Sequence, residues 1–202
     1  MIEPYYEQDG ITIYNADCRE VLPQLERVDL VLTDPPYGIG IAANPFRQRF
    51  EKSNWDDCPP DVALFDLLRK ISRDQIIWGG NYFPLPPSQG FLIWDKQQPE
   101  DFSSAMCEMA WTSRQSPAKL FRYRVVGYRK DHPTQKPVAL MKWCIQRASE
   151  SKTILDPFMG SGTTLRAAKD LGLKAIGIEI EKKYCDIAIE RLRQRSLLPA
   201  MA

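Results

Sequence analysis

The sequence predicts an α/β fold, a mixed and mostly parallel sheet with helices on both faces. Three observations predict it. Apolar runs with strand character alternate with segments of helical periodicity along the 202 residues. Turns rich in Gly and Pro follow several of those runs. Residues 153–195 read strand, glycine loop, helix, strand, helix, which is the first half of a nucleotide-binding sheet.

Taken in order, residues 11–16 read as a strand that delivers Asp17, and 19–25 as a short helix. Residues 28–33 are an apolar strand that delivers Asp34-Pro35-Pro36-Tyr37. Residues 60–72 place Leu64, Leu67, Leu68 and Ile71 on one face of a helix. Residues 75–78, 91–94 and 106–112 read as further strands. Pro137 suits the start of a helix over 138–149. A buried strand at 153–155 leads into a turn at 156–162, and a helix over 163–171 stops at Gly172. A strand at 175–180 carries Glu179, and a helix over 181–195 sets Tyr184, Ile187, Ala188 and Leu192 on one face. The first nucleotide-binding half thus follows the second in the chain. A circular permutation of βα units does this without altering the sheet.

Composition narrows the class. With 44% hydrophobic and 26% charged residues, residues 1–202 are expected to form a single domain. No apolar run of 18 residues exists, and the first ten residues are polar and acidic. Neither a spanning helix nor a secretory leader is expected, and a cytoplasmic location is. Five scattered cysteines and one histidine, His132, make no metal-ligand pattern, so no metal is expected and the cysteines read as buried apolar residues. From Arg114 to Arg147 there are nine Lys/Arg against one acid, Asp131, in a chain of net charge +1. That local block points to a polyanion partner.

Three motifs carry chemistry. In Asp156-Pro157-Phe158-Met159-Gly160-Ser161-Gly162-Thr163-Thr164, glycines let backbone approach a ligand, and Glu179 stands 17 residues beyond Gly162, where an acid can bind ribose hydroxyls. Asp34-Pro35-Pro36-Tyr37 puts a carboxylate, rigid carbonyls and an aromatic ring at a strand's carboxyl end, where open α/β sheets bind ligands. That set suits a flat substrate bearing an amino group. In His132-Pro133-Thr134-Gln135-Lys136-Pro137, the lysine can anchor a carboxylate. Gly38 to Ala43 also matches a dinucleotide fingerprint, but Pro45 stops the helix that motif needs.

Together the motifs D-P-P-Y, H-P-T-Q-K-P and D-P-F-M-G-S-G-T-T, in that order, resemble the N6-adenine/N4-cytosine DNA amino-methyltransferases of the permuted β class. Asn15-Ala16-Asp17-Cys18 and Trp78-Gly79-Gly80-Asn81 also look like that family's sheet motifs. The resemblance implies a circularly permuted, Rossmann-like fold that uses S-adenosylmethionine (SAM). Asp156, Phe158, Gly160, Ser161, Gly162, Thr163 and Thr164 would surround the methionine and sugar of SAM, and Glu179 its ribose hydroxyls. Asp17 and Cys18 would lie at its adenine, and Thr134 and Lys136 would meet its carboxylate. Asp34, Pro35, Pro36 and Tyr37 would form the catalytic turn: Asp34 and the Pro35 carbonyl would hold the target amino group, Asp34 would also border the cofactor, and Tyr37 would stack on the target base.

The resemblance implies DNA as partner. It leans to adenine N6, with cytosine N4, an RNA or protein amide substrate, and a non-catalytic SAM- or DNA-binding regulator as alternatives. Pairing of two copies is left open. Residues 113–131 are all that stands where the family carries its target-recognition region. Lys119, Arg122, Arg124, Arg129 and Lys130 would make a minimal DNA-contacting arm there, with relaxed specificity. Residues 38–56, with Arg47, Arg49 and Lys52, would form a mobile loop that orders over DNA.

Overall fold

The computed structural model describes residues 2–39, 59–101, 105–124, 135–148 and 150–194. Its nine strands are β1 (Tyr6–Gln8), β2 (Ile11–Asn15), β3 (Val28–Thr33), β4 (Ser72–Trp78), β5 (Phe91–Asp95), β6 (Cys107–Thr112), β7 (Lys119–Arg122), β8 (Thr153–Asp156) and β9 (Lys174–Glu179). The helices are α1 (Cys18–Val21), α2 (Val62–Ile71), α3 (Val138–Arg147), α4 (Thr163–Asp170) and α5 (Lys182–Arg193). The strands form one sheet in the order β1-β2-β9-β8-β3-β4-β6-β5-β7.

The five central strands, β2, β9, β8, β3 and β4, are parallel. β6 reverses against both β4 and β5, and β7 runs parallel to β5. From β8 the chain winds through α4 to β9 on one side, and from β3 through α2 to β4 on the other. The β8/β3 boundary is therefore the point where strand order reverses, the place where such sheets bind ligands. The expected permutation is present, because the strand that begins the nucleotide-binding half is the eighth in the chain.

Both sheet faces are covered. Leu140, Met141 and Cys144 of α3, Leu165 and Ala168 of α4, and Ala188 and Leu192 of α5 pack on Ile11, Leu30, Leu32, Ile76 and Ile154. Val21 and Leu22 near α1 and Leu64, Phe65 and Leu68 of α2 pack on Val28, Val31, Ile77 and Leu155. These runs alternate because successive strand residues face opposite sides. α2 begins at Asp61, whose carboxylate accepts from Leu64 N at 2.9 Å as an N-cap.

Local chemistry ties β3 to β8 at both ends. Near the start, Asp29 Oδ2 accepts from the backbone N–H groups of Lys152 and Thr153 at 2.9 and 3.0 Å, and from Thr153 Oγ1 at 2.9 Å. At the carboxyl end, Thr33 Oγ1 donates to Asp156 Oδ1 at 2.8 Å. The two strand tips that carry the sequence motifs are thereby fixed side by side.

Several boundaries differ from expectation. α1 stops at Val21 and continues as a 3-10 turn over Leu22–Gln24, where Pro23 cannot supply an α-helical N–H. β4 begins at Ser72, directly after α2. β1 and β7 were not expected. β7 occupies the first part of the basic stretch, so Lys119 and Arg122 stand on an edge strand of the sheet. Of the cysteines, Cys18, Cys144 and Cys185 are buried as expected but Cys107 is exposed, and Cys58 lies outside the described residues.

Candidate active site

Asp34 leaves the tip of β3 and Asp156 ends β8, and both border one cleft of about 300 Å³ with Lys136, Phe158, Gly160 and Glu179. A second cleft of about 380 Å³ holds Asp17, Cys18 and Leu64. Pro36, Phe158, Glu179 and Ile180 line both, so the two make one groove divided at Phe158 and Glu179. The groove, with Glu179 on the wall the two clefts share, Asp17 in one and Asp34 in the other, offers acceptors suited to an adenosine joined to an amino-acid tail.

The loop after β8 is built on glycine. Gly162 has φ +76°, and a Cβ there would lie 2.6 Å from the Ala188 side chain. Gly160 N donates to Glu179 Oε2 at 3.0 Å, and Glu181 N donates to Oε1 at 2.8 Å. Burial raises the Glu179 carboxyl to about 7 despite those two N–H groups. Burial likewise raises Asp156 to about 6, although Phe158 N and Thr33 donate to it. Thr163 and Thr164 are buried at the start of α4, and Ser161 is held by Arg191 from α5. Arg191 Nη1 donates to the Ser161 carbonyl at 2.6 Å, and Nη2 donates to Gln135 Oε1 at 3.0 Å.

At the far end, Asp17 caps α1, accepting from Arg19 N at 2.9 Å and pairing with the Arg19 guanidinium. The Arg19 hydrogen bond, working against partial burial, holds its carboxyl below the ordinary range.

The Asp34 end is denser. Tyr37 Oη donates to Asp34 Oδ1 at 2.5 Å, and Lys136 Nζ lies 2.6 Å from Asp34 Oδ2. Lys136 Nζ also lies 2.8 Å from Glu108 Oε2 and 3.3 Å from Tyr37 Oη. Burial alone would depress this ammonium, but Asp34 and Glu108 hold it well above its ordinary value. Lys136 also lines the cleft of about 300 Å³ with Gly160 and Glu179, the side on which the sequence sets it against the cofactor carboxylate. A buried ammonium with three protons takes the nearest acceptors, and the chain itself supplies them. The Tyr37 ring stacks on Tyr82 at 4.9 Å and packs over Gly79, whose φ is +71°. A Cβ at Gly79 would lie 2.2 Å from the Tyr37 ring.

Glu108, Lys96, Arg191 and Tyr82 escaped the sequence reading. Glu108 stands in an otherwise apolar strand, and that acid was the one available signal. Arg191 sits among other charges of α5 and gave none. Thr134, Arg47, Arg49, Lys52, Arg129 and Lys130 lie outside the described residues, as do residues 40–56 of the expected loop. Arg122 is exposed opposite Asp95 at the carboxyl end of β5, and Arg124 is exposed two residues further on, while Lys119 lies at the other end of β7. No helix among the described residues is long and apolar enough to cross a membrane, and no cluster among them could hold a metal.

A permuted α/β sheet with a glycine loop and an Asp-Pro-Pro-Tyr turn at its switch point defines the class of SAM-dependent methyltransferases. The chain is similar to the N6-adenine/N4-cytosine DNA methyltransferases. Residues 92–190 match the family described as DNA methylase. The chain is 28% identical to the Type II methyltransferase M2.LlaDCHI of Lactococcus lactis subsp. cremoris, covering 96% of this chain and 93% of that one. That alignment runs over 251 positions, so the relative has segments this chain lacks. Among solved structures, the M1.HpyAVI–SAM complex superposes with a TM-score of 0.61 at 26% identity, over 91% of this chain and all of that one. The cytosine-N4-specific PvuII methyltransferase superposes with a TM-score of 0.67 over 96% of this chain and 90% of that one, and at 16% identity this likeness is one of fold.

Proposed function

We propose that the chain transfers a methyl group to the exocyclic N6 amino group of adenine in DNA. Its similarity to DNA methyltransferases supports a SAM-dependent DNA methyltransferase; the choice of base and the role of each residue are our reading. The observation that carries it is the joining of the Asp34 turn to the Gly160 loop in one groove, fixed by the Thr33–Asp156 hydrogen bond.

An exocyclic amine is a poor nucleophile because its lone pair is delocalised into the ring. Asp34 accepts one N–H and the Pro35 carbonyl the other, which favours a pyramidal nitrogen and frees the lone pair. Pro35 and Pro36 fix the carbonyl's direction. Tyr37 offers a stacking face to a base turned out of the helix. When bound, SAM supplies a methyl on a sulfonium whose thioether leaves uncharged. Asp34 then stabilises the positive charge that grows on the amine.

Asp17 and Cys18 are assigned to the adenine end of the groove and Glu179 to the ribose. Asp156, Phe158, Gly160, Ser161, Gly162, Thr163 and Thr164 enclose the rest. Thr134 is assigned to the methionine carboxylate. The carboxylate of Asp34, as opposed to a serine, supports adenine over cytosine within this family. Lys119, Arg122, Arg124, Arg129 and Lys130, with Arg47, Arg49 and Lys52, supply phosphate contacts. Residues 113–131 serve as a minimal recognition segment within a single domain, and 38–56 as a loop that closes over DNA. Pairing of two copies would extend that small recognition surface, and light scattering reads it.

Labelled-methyl transfer to DNA, followed by nucleoside separation, tests this. Label in N6-methyladenine is expected. Label in N4-methylcytosine moves the assignment to the other base, and no label rejects it.

A further inference from the structure

We infer that Glu108 and Lys96 are positioning residues for methyl transfer, acting on Asp34 through Lys136. The inference deepens the assignment of Asp34 as amine acceptor and rests on it.

Four side chains of alternating sign form an unbroken line. Lys96 Nζ lies 2.6 Å from Glu108 Oε1, Glu108 Oε2 lies 2.8 Å from Lys136 Nζ, and Lys136 Nζ lies 2.6 Å from Asp34 Oδ2. They come from four places in the chain: the end of β5, the start of β6, the segment before α3 and the tip of β3. The antiparallel register of β5 and β6 sets Trp94 opposite Glu108, which brings Lys96 over the sheet edge towards Glu108. The Lys136 side chain is 3% exposed and the Lys96 side chain 12%, so water screens the line weakly. Trp78 lies under the Lys136 ammonium, 5.5 Å from Nζ to the ring centre.

A lone Lys136 beside Asp34 would oppose the proposed chemistry. It would neutralise the carboxylate that must accept an amine proton and favour a growing positive charge. Glu108 divides the pull on Lys136 between two carboxylates, and Lys96 in turn limits how far Glu108 draws it. The line therefore sets how strongly Lys136 holds Asp34. Asp34 is itself raised by burial, against the opposing charge of Lys136. The other charged or titratable groups near it are Tyr37, on Oδ1, and Asp156 at the tip of β8.

The two ends of the line make opposite predictions. In Glu108→Gln, the Lys136 charge falls undivided on Asp34. The acid limb of the kcat–pH profile then moves down by roughly one unit, and the plateau falls by about 10-fold to 10²-fold. In Lys96→Met, Glu108 is less compensated, and the acid limb moves up by roughly one unit. SAM affinity by calorimetry stays as in the parent for both. Asp34→Ala is the separate arm: if it keeps parental turnover, the acceptor assignment fails, whatever the other variants do. With Asp34→Ala inactive, parental profiles in both variants, or shifts of the same sign, overturn the inference. So does a fall in melting temperature with kcat per folded enzyme unchanged. Should Glu108→Gln not fold, the Lys96→Met profile alone decides by its sign.

Discussion

Gly160 gives its backbone N–H to Glu179 Oε2 at 3.0 Å, so the loop after β8 closes on the acid at the tip of β9. One oxygen of the proposed ribose acceptor is thus oriented by the loop that faces the methionine end.

That acid has a pH signature. Ribose hydroxyls donate to an ionised carboxylate, and Glu179 titrates at about 7. SAM affinity is expected to weaken by up to about tenfold per pH unit below that value. Calorimetry between pH 6 and 8 checks it, and Glu179→Gln should bind more weakly with no slope in this range.

Stability should run the other way. Asp156 and Glu179 are raised from 3.8 and 4.5 to about 6 and about 7. The folded chain therefore holds protons that the unfolded chain has released. Their contribution is fully present below the unfolded values and is lost as pH rises through the folded ones. Glu108, held at about 2 by Lys136 and Lys96 against its burial, titrates below this window. Urea denaturation without SAM is expected to show stability falling between pH 4 and 7 for the parent, and falling less for Asp156→Asn.

Asp34→Ala should lose about 10²-fold or more in turnover, in line with other preorganised charge-stabilising groups. SAM binding should persist, since Asp34 lies beyond the groove's adenosine half. Near-parental single-turnover rates would remove Asp34 from the reaction.

Gly79→Ala tests the Tyr37 placement. The new methyl would occupy the ring's position, at a φ that disfavours any side chain. Displacement on that scale is expected to cost about 10²-fold in kcat. A crystal structure with Tyr37 still stacked on Tyr82 and full activity would contradict it.

On the DNA side, Arg122→Ala and Arg124→Ala should each weaken binding evenly across sequences and lower the salt slope by about one. With so short a recognition segment, methylated positions mapped across a genome should follow a short or degenerate site. A strict site of six or more base pairs would refute that.

Most of the sheet was legible because its parallel strands are apolar on both faces and end in motif residues. Val28 to Thr33 and Thr153 to Leu155 could be read from composition alone. β7 could not, since Lys119 and Arg122 are the charges that edge strands carry against aggregation, and they read as loop. The D-P-P-Y and glycine-loop residues were legible as candidates because their motifs are local, and the structure brings Asp34 and Gly160 to one cleft. The Lys136–Glu108 contact was not legible, because it joins residues 28 apart on a buried surface that no sequence period encodes. Lys136 stands in one of the motifs, but its contact with Asp34 joins residues 102 apart and is equally silent in the sequence.

The position of β3 also bears on how the molecule is made. It is synthesised early, yet one of its two neighbours, β8, emerges more than a hundred residues later. Until then the Val28–Thr33 segment presents an open apolar edge on the ribosome. Fast folding is not available to such distant pairing. Such a late partner predicts chaperone dependence during synthesis, and rescue of a truncated chain by a separately expressed C-terminal fragment, both read by the yield of soluble chain.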